Sequence, residues 1–163
     1  MFKTRNHNLD LYNTLLRLSR NLFFYNNINL KDTFETRVYL MFMHFSTILI
    51  IYKIKKVNFP QNSYDSLFDS IENNLRELGL GDVAVNKKMK ILNKIFYDIL
   101  LKISKSKSAF ELNSELVLKY FADLNNSKTE KYLFFERYFI NFYNFCFELH
   151  PETMIKDALN FKV

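Results

Sequence analysis

An all-α fold, about seven helices in one compact domain over residues 1–163, is what three observations on this chain predict. Only two glycines and two prolines occur in 163 residues, so the turn residues that hairpins and short strands need are scarce. Apolar residues, 48% of the total, recur every three or four positions, the period of an amphipathic helix and not of a strand. Several apolar runs are preceded by a Ser or Asp with Glu three residues later, the reciprocal capping pattern of a helix start.

The first helix is expected over about 9–25, because the periodic pattern begins by Leu9. The second, about 32–56, starts at "DTFE", with Asp32 as N-cap and Glu35 reaching back to it. Its stretch "VYLMFMHFSTILIIY", 38–52, reads as a central buried helix: at about 1.5 Å per residue it covers roughly 22 Å, short of a hydrocarbon core of about 30 Å. A third helix is expected over about 62–78 and a fourth over 83–104. "SAFE" (Ser108, Glu111) predicts a fifth over 108–124, and "SKTE" (Ser127, Glu130) a sixth over 128–149. Pro151 at a first helical position predicts the seventh, 151–160. The linkers "NNINLK", "VNFPQ", "SKSKS" and "NNSK" are short, and no internal repeat is visible.

Both glycines fall in "LGLGD", 78–82. This predicts a tight corner between antiparallel helices: Gly79 takes the left-handed C′ position, Leu80 contacts the preceding turn, Gly81 lets the chain reverse and Asp82 caps the next helix. Glu77 opposes the dipole of the helix it ends, and Arg37 is its expected partner.

The charge balance is +6, with lysine outnumbering arginine. Phe, Tyr, Met, Ile, Asn and Lys, whose codons are rich in A and T, dominate the composition, so the 18 Phe and 10 Tyr do not by themselves argue a base-stacking surface. The basic balance still favours an acidic partner, RNA or an anionic membrane. The lone Cys146 forms no intramolecular disulfide and points to a reducing compartment and buried packing. The start, "MFKTRNHNLDLYNTL", lacks the apolar core of a secretory signal. It suggests a whole bacterial chain in the cytoplasm, peripheral at the inner membrane, or in the mitochondrial matrix if eukaryotic.

No catalytic, metal or cofactor site is nominated. His7, His44 and His150 lack ligand spacing, and neither a phosphate-binding glycine loop nor a nucleophile elbow is present. Two stripes carry more. About 100° per residue aligns Thr33, Arg37, His44, Ile48 and Lys55 on one side of the second helix. Arg37 and His44 there need a polar partner, either an internal clasp or a ligand. On the fourth helix Val85, Met89, Leu92, Phe96, Ile99 and Ile103 form the apolar face. Lys87, Lys90, Lys94 and Lys102 lie opposite, with Lys88 at the edge and Lys105 beyond. This is either a solvated face or a salt-sensitive phosphate contact.

With these residues in view, the chain resembles the ubiquinol–cytochrome c chaperone family, assembly factors for cytochrome b of respiratory complex III, and their alphaproteobacterial relatives. "LFDSIENNLRELGLGDVAVNKKMK" at 67–90 carries the strongest similarity, "KDTFETRVYLMFMH" a second, and "LYNTLLRLSRNLFFY", with Tyr12, Arg20 and Tyr25, a third. Lys31, Thr36 and Asp98 depart from the family pattern. The resemblance implies an all-helical chaperone, not an enzyme, without cofactor. Mitochondrial members are described as acting near the ribosomal tunnel exit with a small partner protein, receiving nascent cytochrome b. Carried over, Arg76, Glu77, Gly79, Gly81 and Asp82 form the signature corner, with Asp32, Thr33, Arg37 and His44 as neighbours. The expected mechanism holds an apolar client segment on an exposed aromatic-rich surface, with the lysine stripe docked on a ribosome or membrane. A basic RNA-binding module and an interfacial membrane protein are the rival readings.

Overall fold

Helix α1 (Phe2–Ser19) turns Leu11, Leu15 and Leu18 inward, the i, i+4, i+7 spacing of a buried helical stripe. The computed structural model describes the backbone from Phe2 onward and the side chains from Asp10 onward, so the His7 side chain lies outside the described residues. The expected helix 9–25 is in fact interrupted. α1 stops at Ser19, and Phe23–Asn27 form one wide π-turn. The Ile28 N–H closes it on the Phe23 carbonyl at 3.2 Å. Asn29, at φ 60°, then redirects the chain, a left-handed conformation that asparagine tolerates better than most residues. The break has a packing result: Phe24 enters the core with no exposed surface, and the Tyr25 hydroxyl donates to the Ser19 carbonyl at 2.7 Å, capping a free α1 terminus.

Helix α2 (Phe34–Ile54) is buried continuously from Leu40 to Ile48. A helix apolar all round must be enclosed on all sides, and α1, helix α4 (Asp82–Lys102) and helix α6 (Glu130–Phe147) pack against it. Among the described helices it alone is long and apolar enough to cross a membrane, and 67% of that apolar window is buried within this fold. Helix α3 (Gln61–Glu77) lies on α1 and α4. The remaining elements are α5 (Ser114–Tyr120), a 3₁₀ turn Ala122–Leu124, and α7 (Met154–Asp157) followed by a second 3₁₀ turn, Ala158–Asn160.

The predicted capping residues are corrected in each case. Thr33, not Asp32, caps α2, accepting the Thr36 N–H at 3.2 Å; the chain is still extended at Thr33 (φ −114°, ψ 163°). "SAFE" starts no helix. Residues 104–112 are a loop closed by an antiparallel bridge between Ser104 and Leu112, and Asn113 caps α5 through the Glu115 N–H. Thr129, two residues beyond Ser127, caps α6 through the Tyr132 N–H. Pro151 lies in a turn, three residues ahead of a helix only four residues long.

One continuous core joins all the long helices, and aromatic rings fill much of it. Phe42, Phe45 and Phe96 interlock between α2 and α4, and Phe24, Phe135 and Phe139 between the π-turn and α6. Each such ring, fully withdrawn from water, stabilises the fold by about 1.5–3 kcal/mol. Cys146 lies in this core with its thiol pushed up to about 12 by burial, a packing residue and not an activated nucleophile.

A tyrosine–arginine seam beside the two-glycine corner as the candidate functional site

The corner after α3 is built by backbone hydrogen bonds. Gly79 stands at φ +95°, and its N–H bonds the Arg76 carbonyl at 3.0 Å while the Leu80 N–H reaches the Leu75 carbonyl at 3.4 Å. These are the two reverse bonds of a Schellman motif, which satisfies helix-terminal carbonyls and calls for glycine at the left-handed position. Leu80 then packs on the core. Gly81 departs from expectation: at φ −77°, ψ 169° it is ordinary extended backbone and the N-cap of α4. A Cβ there would meet nothing within 4 Å, so chain reversal does not require glycine at this position. Asp82 is the first residue of α4 rather than its cap, where its charge favours the helix dipole. It hydrogen-bonds the Arg76 guanidinium across the corner, and Arg76 also meets Glu72 at 3.5 Å.

Beside this corner the fold gathers residues from three separated stretches. Tyr12 of α1 is half-buried, and burial raises its hydroxyl pKa; the charges of Arg20, Glu77 and Arg37 act on it, as does the neighbouring Asn74 side chain of α3. Tyr25 of the π-turn is pushed up to about 12, chiefly by burial, and stands in the fields of Asp32, Arg37 and Arg20. The charges of the same two arginines thus act on both tyrosines. Arg37 Nε lies 3.7 Å from Asp32 Oδ1. The predicted Arg37–Glu77 pair does not form: Arg37 takes Asp32, and Glu77, whose charge also acts on Tyr12, has no ion-pair partner among the described residues. The seam is therefore a surface of two tyrosines and two guanidiniums, bordered in the chain by exposed Leu22 and Leu78.

His44 is not part of it. Its ring is fully buried, with Nδ1 2.7 Å from the Leu40 carbonyl and Nε2 2.7 Å from the Tyr138 hydroxyl. The carbonyl can only accept, so Nδ1 carries the proton and Nε2 accepts from tyrosine. Burial lowers the His44 pKa to about 4, against the partial opposition of the Leu40 hydrogen bond. It is a neutral clasp between α2 and α6. The predicted stripe on α2 thus splits by depth: Thr33 caps, Arg37 joins the seam, His44 enters the core and Lys55 donates to the Leu149 carbonyl at 2.9 Å.

The family model described as ubiquinol-cytochrome C chaperone matches residues 26–118. The chain belongs to this family. No curated protein and no solved structure matches it. The segment matched to the chaperone family runs from the end of the π-turn through α2, α3 and α4 into α5. It holds Asp32, Arg37, Asn74, Glu77 and the whole corner; Tyr12, Arg20 and Tyr25 precede it.

Two further expectations about this chaperone-family chain change in three dimensions. Its aromatic residues do not form a broadly exposed surface: among the ten exposed large apolar side chains of the described residues Tyr97 is the sole aromatic, and the others are aliphatic. The lysine stripe divides as well. Lys88 pairs with Glu35 of α2 at 3.1 Å, and Lys102 with Asp98 at 2.8 Å. Asp98 also receives Lys119 and the Tyr120 hydroxyl, and these hydrogen bonds, that of Lys102 foremost, hold its carboxyl far below the usual range. Lys87, Lys90 and Lys94 have no ion-pair partner among the described residues. Sequence reasoning missed Tyr138 as the partner of His44 and Asn74 as a neighbour of Tyr12, because neither lies near its counterpart in the chain. Among the described residues no three His, Cys, Asp or Glu side chains gather as a metal would require. A cleft of about 320 Å³ between Tyr52, Pro60, Pro151 and Lys156 contains none of the predicted site residues.

Proposed function

We propose that this member of the ubiquinol-cytochrome C chaperone family is a non-catalytic assembly factor whose client is newly made cytochrome b of ubiquinol–cytochrome c reductase. The family membership carries the chaperone role. The observation that supports a protein client is the seam. Tyrosine and arginine are, with tryptophan, the side chains enriched at the energetic centre of protein interfaces, and here the charges of Arg20 and Arg37 act on both Tyr12 and Tyr25, while exposed Leu22 and Leu78 adjoin the seam and the corner in the chain. The client is held by these groups, not by the phenylalanines that pack the core. Lys87, Lys90 and Lys94 dock the loaded chaperone to an anionic surface where the client is made. That surface is a ribosome or membrane, at the cytoplasmic face of a bacterial inner membrane or in the mitochondrial matrix.

The test uses a photo-crosslinking amino acid at position 78 in the native host, during synthesis of cytochrome b. Cytochrome b is the expected adduct, and a probe at Asn144 on α6 is expected to yield none. Arg20→Glu reverses an exposed charge with no ion-pair partner among the described residues. It is expected to cut the adduct by at least tenfold, in line with about 2 kcal/mol for an interface hot spot, while leaving the thermal midpoint unchanged. Equal adducts from both probe positions contradict the reading.

A further inference from the structure

Helix α4 has an outer face of unusual chemistry. Stepping about 100° per residue from Val83, the side chains of Lys87, Lys90, Lys94, Tyr97 and Leu101 fall within about 40° on either side of one line, with Ile91 about 80° to one side. The apolar members stand well out into water: Val83 and Leu101 are each 78% exposed, Ile91 52% and Tyr97 51%. The lysines between them, Lys87, Lys90 and Lys94, have no ion-pair partner among the described residues. The acid on this face, Asp98, is paired with Lys102 and Lys119, each at 2.8 Å, so the carboxylate that the helix presents here is compensated. From Val83 to Leu101 the strip extends roughly 27 Å at 1.5 Å per residue.

We propose that this outer face of α4 lies flat on an anionic lipid surface, with Val83, Ile91, Tyr97 and Leu101 entering the headgroup boundary and Lys87, Lys90 and Lys94 reaching the lipid phosphates. The inference rests on the docking part of the function proposed above and selects between its two surfaces. Interfacial helices bury aliphatic side chains just below the phosphates while lysines extend back up to them. An RNA contact uses the lysines alone and leaves four apolar side chains wet. A second copy of the same face would set three lysines against three. A client's apolar segment would desolvate those same lysines without pairing them.

The experiment is flotation of the full chain with vesicles. It is expected to co-float with vesicles of phosphatidylcholine and phosphatidylglycerol in equal parts, and to stay in solution with phosphatidylcholine alone. Changing Lys87, Lys90 and Lys94 together to Gln should weaken binding to the anionic vesicles about 100-fold, roughly fivefold for each lysine. Val83→Ser with Leu101→Ser should weaken it about tenfold, a fraction of the full burial of two aliphatic side chains. That pair should leave binding to a double-stranded RNA probe unchanged. All five side chains are exposed, and unchanged thermal melts confirm that the variants fold. No flotation with anionic vesicles, or flotation indifferent to the serine pair, overturns the proposal; in the second case lysine-dependent RNA binding would assign the face to RNA. Crosslinking from position 78 reads the client independently, so failure on vesicles with the adduct intact rejects the lipid contact alone.

Discussion

At Gly79 the backbone is held at φ +95°, where a side chain costs about 1–2 kcal/mol, whereas Gly81 at φ −77° faces open space. Gly79→Ala is therefore expected to lower stability by about that amount, and Gly81→Ala to leave the midpoint of thermal unfolding nearly unchanged. If Gly81→Ala nonetheless lowers client crosslinking, the close approach that glycine permits is made by a partner. The pairing of His44 with Tyr138 gives a second contrast. The folded-state pKa of His44 lies near 4, below its ordinary 6.5, so the unfolded chain takes the proton first as pH falls. The stabilisation is complete above about pH 6.5 and is lost toward pH 4, on the order of 3 kcal/mol. Denaturant titrations should show this slope in the wild type and lose it in His44→Phe. Tyr138→Phe, which leaves Nε2 buried without its donor, should cost about 1–3 kcal/mol at neutral pH.

Among the elements, helix starts separate caps that are made from caps that are only spelled. Thr33→Ala removes the hydroxyl that accepts the Thr36 N–H and should cost about 1 kcal/mol. Ser108→Ala should change stability by less than about 0.5 kcal/mol, because its hydroxyl meets only Ser106 in a solvated loop. Calorimetry on the two variants checks both. Here the sequence was legible to within one or two residues for α2 and α6, since Asp32 and Ser127 are neighbours of the true caps, Thr33 and Thr129. It misled at Ser108, where the apolar residue that begins the buried pattern is Leu112, presented by the Ser104–Leu112 bridge, and not by a helix. The interruption of α1 was not legible either: periodicity continues through Phe23 and Phe24, and only the asparagines at 26, 27 and 29 hint at the wide turn that drives Phe24 inward.

At the scale of the whole molecule, the all-helical architecture and the enclosure of α2 follow from composition and period, because so few glycines and prolines leave helices as the available way to bury this apolar content. The site was legible in pieces. Tyr12, Arg20, Asp32, Arg37 and Glu77 could each be singled out along the chain, but their convergence depends on α1 and α3 packing together and on the π-turn bringing Tyr25 toward Arg37. The abundance of phenylalanine was the reverse case, a strong compositional feature that goes largely into the core and its margins. The central claim is that the molecule as a whole serves cytochrome b, and depletion in its own host tests it most directly. Haem b absorbance and ubiquinol–cytochrome c reductase activity are followed together, with another respiratory complex as control. The account predicts selective loss of both signals with the control complex intact, restored by the wild-type chain and not by Arg20→Glu. Unchanged haem b and reductase activity after complete depletion would contradict it.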